Sequence, residues 1–285
     1  MNVTHKEAFS LLKGIDNVLI LTHRNPDGDA VGSMFALYYT LRDMGKNVRC
    51  MSDTIPDSLS IPVCEEAFVE FEPDYVVSVD VADRKLLTEE ADAKYGDNIY
   101  LAIDHHEANK PFSHHLLLDY NASAACEVIF DMLTEAGADY SLDAATAMYL
   151  GIATDTGCFR YPNATAHTFF AASELIKKGV NNGDINRIVF ETKSREYVRF
   201  ETLAMNSLKT YFDGKCAVIV ITQDMYQKTG TSEADTHSIA ALPRQIAGVL
   251  AGILIKEKKD GSYKVSVRTN PPLNAAEICG VFGGG

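Results

Sequence analysis

Three short apolar runs in the first half of the sequence constrain it most. They are NVLILT (17–22), YVVSVDV (75–81) and IYLAID (99–104), and each carries an acid or a histidine at or just past its end. They are rich in β-branched residues and bounded by polar segments, so they read as buried strands. VRCMS (48–52) is a further candidate strand. The segments AVGSMFALYYTLRDMG (30–45), SAACEVIFDMLTEAGA (123–138), DAATAMYLGIATDTG (143–157) and TAHTFFAASELIKKG (165–179) show helical spacing instead, the first closed by Gly45. Strands alternating with helices predict an α/β fold whose N-terminal sheet is mainly parallel and flanked by helices.

At 285 residues with 46% hydrophobic composition, the chain is long enough for two domains. After Gly179 the sequence turns polar and helical. CAVIVIT (216–222) then starts a new strand, SIAALPRQIAGVLAG (238–252) reads as a helix with Pro243 in its first turns, and ILIKEKKDGSYKVSVRT (253–269) reads as a hairpin. Asp260-Gly261 is its two-residue turn signal. The expected organisation is a catalytic domain over 1–190, a helical connector over 191–210, and a smaller C-terminal α/β domain with a mixed sheet over 211–285.

Twenty-six basic against 39 acidic residues give a net charge of −13. A protein that coats long nucleic acid carries a basic footprint, so any nucleic-acid substrate is expected to be short and held partly through metal. The six cysteines (Cys50, Cys64, Cys126, Cys158, Cys216, Cys279) include no C-x-x-C pair. They read as buried small hydrophobes in a reducing compartment rather than zinc ligands, and Cys158 as filler rather than a nucleophile. No signal peptide is evident, and no apolar run approaches the ~20 residues of a membrane span. The expectation is a cytoplasmic protein with no membrane partner.

The chemistry lies at the ends of the strands. NVLILT leads into His23, Asp27 and Asp29, YVVSVDV contains Asp80, and IYLAID ends on Asp104 before His105 and His106. Asp155 closes a helical stretch. Each cluster alone has an ordinary reading: Asp27-Gly28-Asp29 as a turn, His105-His106 as a solvated pair, Asp155-Thr156-Gly157 as a helix cap. Together they point to a metal site, because ligands of open α/β sheets gather outside the carboxyl ends of the strands. Mixed imidazole and carboxylate donors suit Mn²⁺, Fe²⁺, Co²⁺ or Zn²⁺ better than Ca²⁺. Gly28 would let the chain turn between Asp27 and Asp29. Asp80 is the natural bridge between two ions, which a shared carboxylate holds roughly 3.5–4 Å apart. His5, His114, His115, His167 and His237 lack a carboxylate cluster and read as surface or packing residues.

The ordered set H23-R-N-P-D27-G-D29-A-V-G32-S33, D80, D104-H105-H106 and G151-I-A-T-D155-T-G resembles the DHH phosphoesterase family, from about residue 17 to the end. S266-V267-R268 with V281-F282-G283-G284-G285 resembles the C-terminal DHH-associated domain of its RecJ and oligoribonuclease branch. Size and layout are similar to the compact oligoribonucleases (nano-RNases) that also act on 3′-phosphoadenosine 5′-phosphate. The resemblance implies a metal-dependent hydrolase that cleaves short oligoribonucleotides to 5′-mononucleotides, removes the 3′-phosphate of that bisphosphonucleotide, or both. Hydroxide activated by two divalent ions, Mn²⁺ first among the candidates, would attack phosphorus in an interdomain cleft. By analogy, His23, Asp27 and Asp80 hold the first ion, and Asp29, Asp80, His105 and Asp155 the second. Asp104 orients a histidine, His106 contacts the scissile phosphate, and Arg268 with Gly283, Gly284 and Gly285 grips the nucleotide. A homodimer is left open.

The sequence departs from the family pattern at two places. The arginine past the second-motif aspartate comes early, as Arg84, and no glycine follows, so it receives no role. The family closes its glycine run with a histidine and small residues, so the second domain is expected to be cut short at Gly285. Rival readings are a cyclic- or linear-dinucleotide phosphodiesterase, a manganese-dependent inorganic pyrophosphatase, and a nucleotide-binding regulator without turnover. The C-terminal SVRT and glycine run argue against the pyrophosphatase. The intact metal positions argue against the regulator.

Overall fold

The structure is a computed structural model that describes residues 1–232 and 238–284. It divides into two compact units, Met1–Thr192 and Lys193–Gly285.

In the first unit, α1 (His5–Gly14) precedes β1 (Val18–Leu21), α2 (Gly28–Asp43), β2 (Val48–Met51), β3 (Tyr75–Val79), α3 (Glu89–Tyr95), β4 (Ile99–Asp104), β5 (His115–Leu118), α4 (Ala125–Glu135), α5 (Leu142–Asp155), α6 (Ala166–Lys177) and α7 (Asn182–Asn186). The five strands form one parallel sheet in the order β2-β1-β3-β4-β5. Strand pleating sends alternate side chains to opposite faces. Val18, Ile20, Val77, Val79, Leu101 and Ile103 join the core under α1, α2, α4 and α5. Leu19, Leu21, Val76 and Ile99 pack on the other face with Leu87, Ala91 and Tyr95 around α3. Covering both faces is what a parallel sheet requires, and it explains why these runs are apolar without alternation.

The direction of the chain across the sheet reverses at β1: β2 lies on one side of it and β3 on the other. That is the switch point at which α/β sheets open a crevice beyond their carboxyl ends. Adjacent β1, β3 and β4 therefore deliver His23, Asp80 and the Asp104-His105-His106 triplet to one edge.

Helix α2 begins with its own cap. Asp27 Oδ1 accepts from the amides of Asp29 and Ala30, both at 3.1 Å. Gly28 is the first helical residue, with no left-handed backbone, so its need is space rather than a turn. A Cβ there would lie 2.3 Å from Thr154 Oγ1. Gly32 and Gly151 extend this close approach of α2 and α5: a Cβ on Gly32 would meet Ala147 O at 2.6 Å, and one on Gly151 would meet Asp29 Oδ1 at 2.7 Å as well as Cys126 Sγ of α4. The contact places Asp29 near the end of α5, where Asp155 sits.

In the second unit, α8 (Arg195–Asn206) precedes β6 (Lys209–Tyr211), β7 (Cys216–Ile221), α9 (Gln223–Thr229), β8 (Ala251–Glu257), β9 (Tyr263–Thr269) and α10 (Ala275–Val281). The sheet is mixed, in the order β6-β7-β8-β9, with only the β7–β8 pair parallel. Rather than bridging as a bare connector, α8 buries Phe200 and Ala204 against Ile219, Ile221, Tyr226 and Leu254.

Several expectations are corrected. The helix expected over 238–252 is two single 3₁₀ turns, Ser238–Ala241 and Pro243–Gln245. Pro243 has no amide to continue a helix, and Gly248 takes φ +84°. The sheet also holds the segment: a Cβ on Gly252 of β8 would lie 2.6 Å from Arg244 N. The β8–β9 turn is wider than two residues. Gly261 N donates to Lys258 O at 3.0 Å with Gly261 at φ +79°, and Lys258 N closes on Ser262 O at 2.8 Å. That is a three-residue loop with its glycine in the left-handed position. All six cysteines are free, but only Cys50 and Cys126 are fully buried. Cys64, Cys158, Cys216 and Cys279 are half-buried because they sit at element ends or on the open sheet and helix of the second unit.

Candidate metal centre

Asp80 is the hub of the site. It sits one residue past β3 in the left-handed region at φ +57°, a conformation costing a side-chain-bearing residue about 1 kcal/mol. Its amide donates to Ile103 O at 2.9 Å, which locks the turn against β4. The carboxylate is 3% exposed and faces two histidines. Oδ2 lies 3.6 Å from His23 Nε2, and Oδ1 lies 3.7 Å from His105 Nε2. Asp27 Oδ1 completes the first group at 3.8 Å from His23 Nε2. Asp29 Oδ2 and Asp155 Oδ2 complete the second, at 3.7 and 3.9 Å from His105 Nε2.

These spacings are too long for hydrogen bonds. They match donors that share an ion: two atoms each roughly 2.0–2.2 Å from one metal lie at most about 4.4 Å apart. Buried Asp80 Oδ1 has no hydrogen-bond partner, the mark of an acceptor awaiting a cation. Both imidazoles are pre-aimed. His23 Nδ1 contacts Arg24 O at 3.0 Å and His105 Nδ1 contacts Ala122 O at 3.3 Å. Donation from each Nδ1 leaves the Nε2 lone pair toward the acids, the tautomer a metal ligand needs.

Electrostatics agree. Burial, with Asp80, Asp155 and Asp27 adjacent, pushes Asp29 well above the carboxylate range. Burial likewise lifts Asp155 to about 6, with Asp80 and Asp27 adding to the rise and His105 opposing it. Burial alone would lower His23, but Asp27 and Asp80 outweigh it and raise it to about 10. The residues present fit divalent metal ions.

Asp29 is fixed from another direction. Its Oδ2 accepts from Ala125 N at 2.6 Å and its Oδ1 from Cys126 N at 3.0 Å, in the first turn of α4. The N-cap residue of that helix, Ala124, offers no side-chain cap, so Asp29 takes the place of one. Fully buried Asp104 accepts from His106 Nδ1 at 2.8 Å and from Asn109 Nδ2 at 2.5 Å. The Asp104 bond raises His106 to about 9. His106 Nδ1 also lies 3.6 Å from Asp80 Oδ1, which puts it within reach of the ligand group as well as beside it.

Sequence reading missed Asn109, which orients Asp104, and Asn163, whose Nδ2 donates to Ser123 O and Asp155 O. Neither lies at a strand end, so no periodic signal marked them. It also missed that His167 does have carboxylate neighbours. Glu127, Asp131 and His167 form a separate cluster, because Glu127 and Asp131 are one turn apart on α4 and α6 brings His167 across to them. His115 stacks edge-on against Tyr100, and Arg84 is paired with Asp92 and Asp97.

In the second unit, Arg268 is an exposed residue of β9 whose Nη1 donates to Val267 O at 3.2 Å. Gly283, at φ +75°, donates its amide to Gly280 O at 3.1 Å, and Gly284 donates to Cys279 O at 2.9 Å. This paired arrangement is the Schellman stop of α10, so both amides are committed to the helix end. Gly285 and His237 lie outside the described residues.

Among the described residues, no helix is long and apolar enough to cross a membrane. The parallel sheet and the two histidine–carboxylate groups joined at Asp80 give an α/β unit whose donor set fits divalent metal ions.

The DHH family, N-terminal domain, matches residues 17–152 of the chain. The chain is 27% identical, over 96% of its length and 83% of the relative's, to the bifunctional oligoribonuclease and PAP phosphatase NrnA of Thermus thermophilus. The Bacillus subtilis protein of the same description is 27% identical over 90% of this chain and 83% of that one. Among solved structures, an exopolyphosphatase-related protein from Bacteroides fragilis superposes with a TM-score of 0.86 at 25% identity, covering 98% of this chain and 86% of the other. RecJ from Thermus thermophilus, in complex with Mn²⁺, shares the fold at 13% identity, with a TM-score of 0.56 over 98% of this chain and 49% of that one.

Proposed function

We propose that this chain hydrolyses short oligoribonucleotides to 5′-mononucleotides and removes the 3′-phosphate of 3′-phosphoadenosine 5′-phosphate, using two divalent ions, with Mn²⁺ preferred. The observation that carries the reading is the two-sided carboxylate of Asp80, one oxygen facing His23 and the other facing His105. The descriptions of the Thermus and Bacillus relatives support the substrate classes.

When bound, two divalent ions supply an acidified water and neutralise charge on the transferring phosphoryl group. His23, Asp27 and Asp80 would hold one ion, and Asp29, Asp80, His105 and Asp155 the other. His106, held as a donor by Asp104, presents its Nε2 side to phosphate oxygens. Kept cationic near neutral pH, it stabilises the charge that develops there. Asn109 fixes Asp104, so the Asn109–Asp104–His106 chain sets the donor's direction. Arg268, exposed on β9, is the proposed contact to a nucleotide phosphate.

The test is a product time course on di-, tri- and pentaribonucleotides beside 3′-phosphoadenosine 5′-phosphate, pyrophosphate and a cyclic dinucleotide, each with Mn²⁺. Mononucleotides from the short RNAs and AMP from the bisphosphonucleotide are expected. Turnover of pyrophosphate alone would overturn the reading.

A further inference from the structure

A second set of metal-competent side chains lies in the first unit, away from the strand ends. Glu127 and Asp131 stand one turn apart on α4, so they share a face. His167 reaches them from the first turn of α6. One donor atom from each of the three lies within 4.8 Å of the other two. None of these residues belongs to the strand-end centre.

Glu127 is the unusual member. It is 1% exposed, yet every hydrogen bond it receives falls on Oε2: from Ser123 N at 3.2 Å, from Thr168 Oγ1 at 2.9 Å, and from Ser123 Oγ. Among the described residues, none is made to Oε1. Among the described residues, no lysine or arginine pairs with Glu127 or Asp131, and the one ion pair in the cluster is His167 Nε2 to Asp131 Oδ1 at 2.7 Å. Two carboxylates on one helix, one of them buried, share a single imidazole among the described residues and are short of positive charge.

We propose that Glu127, Asp131 and His167 form a separate site for a divalent transition ion of the Zn²⁺ class, tying α4 to α6. One imidazole and two carboxylates are a donor set Zn²⁺ accepts. The fourth position is open to water, because the His167 side chain is half-exposed. Binding places the ion between His167 Nε2 and Asp131 Oδ1 and releases the proton they now share. Helix α4 is also the helix whose first turn grips Asp29, so the ion braces the support of the main centre without touching it.

The test uses the full chain, stripped by chelator, reloaded with Zn²⁺ alone and desalted, with metal per chain measured by plasma mass spectrometry. An Asp80→Asn background disables the strand-end centre and isolates the second site. Zinc is expected to survive desalting in that background and to be lost when His167→Ala or Asp131→Asn is added. Co²⁺ substitution gives an independent signature, a visible absorption band that disappears with either change. In the otherwise unchanged chain, His167→Ala should keep Mn²⁺-dependent hydrolysis, which also shows that it folds. Asp131→Asn preserves side-chain shape should the histidine variant fail to fold. Zinc content and cobalt spectrum unaffected by either variant, or no retained zinc in the Asp80→Asn chain, would overturn the proposal and leave the cluster an ordinary ion pair. Neither readout depends on the substrate assigned above.

Discussion

Replacing Asp80 by asparagine tests the shared-carboxylate geometry most directly. Asparagine suits the position: it tolerates the left-handed backbone at φ +57°, whereas alanine would add strain unrelated to metal binding. The variant keeps the shape and removes one charge that faces both ligand groups. If each ion takes half of that charge at about 2.1 Å, Coulomb attraction at an effective dielectric of ~20 amounts to about 8 kcal/mol per dication before desolvation is subtracted. Even if desolvation cancels half of it, about 3–4 kcal/mol remains, a loss of roughly 10²–10³ in affinity at each group. A site filled at 100 times its Kd stabilises the fold by about 2.7 kcal/mol. For a unit the size of Met1–Thr192, that is a rise in Tm of roughly 5–10 °C. Titration calorimetry with Mn²⁺, thermal melts with and without Mn²⁺, and hydrolysis of a diribonucleotide should therefore change together. The metal-dependent rise should vanish and hydrolysis should fall at least ~10³-fold. If Asp80→Asn kept wild-type Mn²⁺ affinity and rate, the shared carboxylate would be refuted.

Other parts of the structure give further expectations. Gly32→Ala forces a methyl against Ala147 O, a backbone atom that cannot rotate away, so denaturant titration should show a loss of about 1–3 kcal/mol. In chelator, Tm should fall as pH rises from about 6.5 toward 9–10. His23 and His106 are raised to about 10 and about 9, so their contribution is complete below the unfolded value near 6.5 and is lost as each deprotonates in the fold. With Mn²⁺ bound, His23 is already neutral, and the slope should shrink. Asp104→Asn should lower kcat by roughly 10²-fold with little change in Mn²⁺ affinity, because it disorients His106 rather than a shared ligand. Arg268→Ala should raise KM for oligonucleotides and leave calorimetric Mn²⁺ binding unchanged; an unchanged KM would refute a substrate-binding role for Arg268.

Much of the first unit was legible in the chain itself. The runs at 18–21, 75–79 and 99–104 are apolar on both faces because both faces of a parallel sheet are covered, so composition and length alone mark them. The second unit was less legible. Its β7 buries alternate residues on one face only, and the stretch around Pro243 has helical spacing but spends its backbone on 3₁₀ turns that fit against Gly252.

The sequence by itself determined which residues could ligate metal and that several stand at strand ends, since donor chemistry and short-range periodicity are local properties. Only the tertiary structure decided where their atoms meet. Strand order brings β1, β3 and β4 side by side, the left-handed turn at Asp80 points its two oxygens at different histidines, and the first turn of α4 takes Asp29 as its cap. It also moved Gly28 from a turn to a packing contact, gave Asn109 a task, and set Glu127, Asp131 and His167 together. Those outcomes depend on pairs of residues far apart in the chain and on a few tenths of an ångström between helices, quantities that no local pattern of residues encodes.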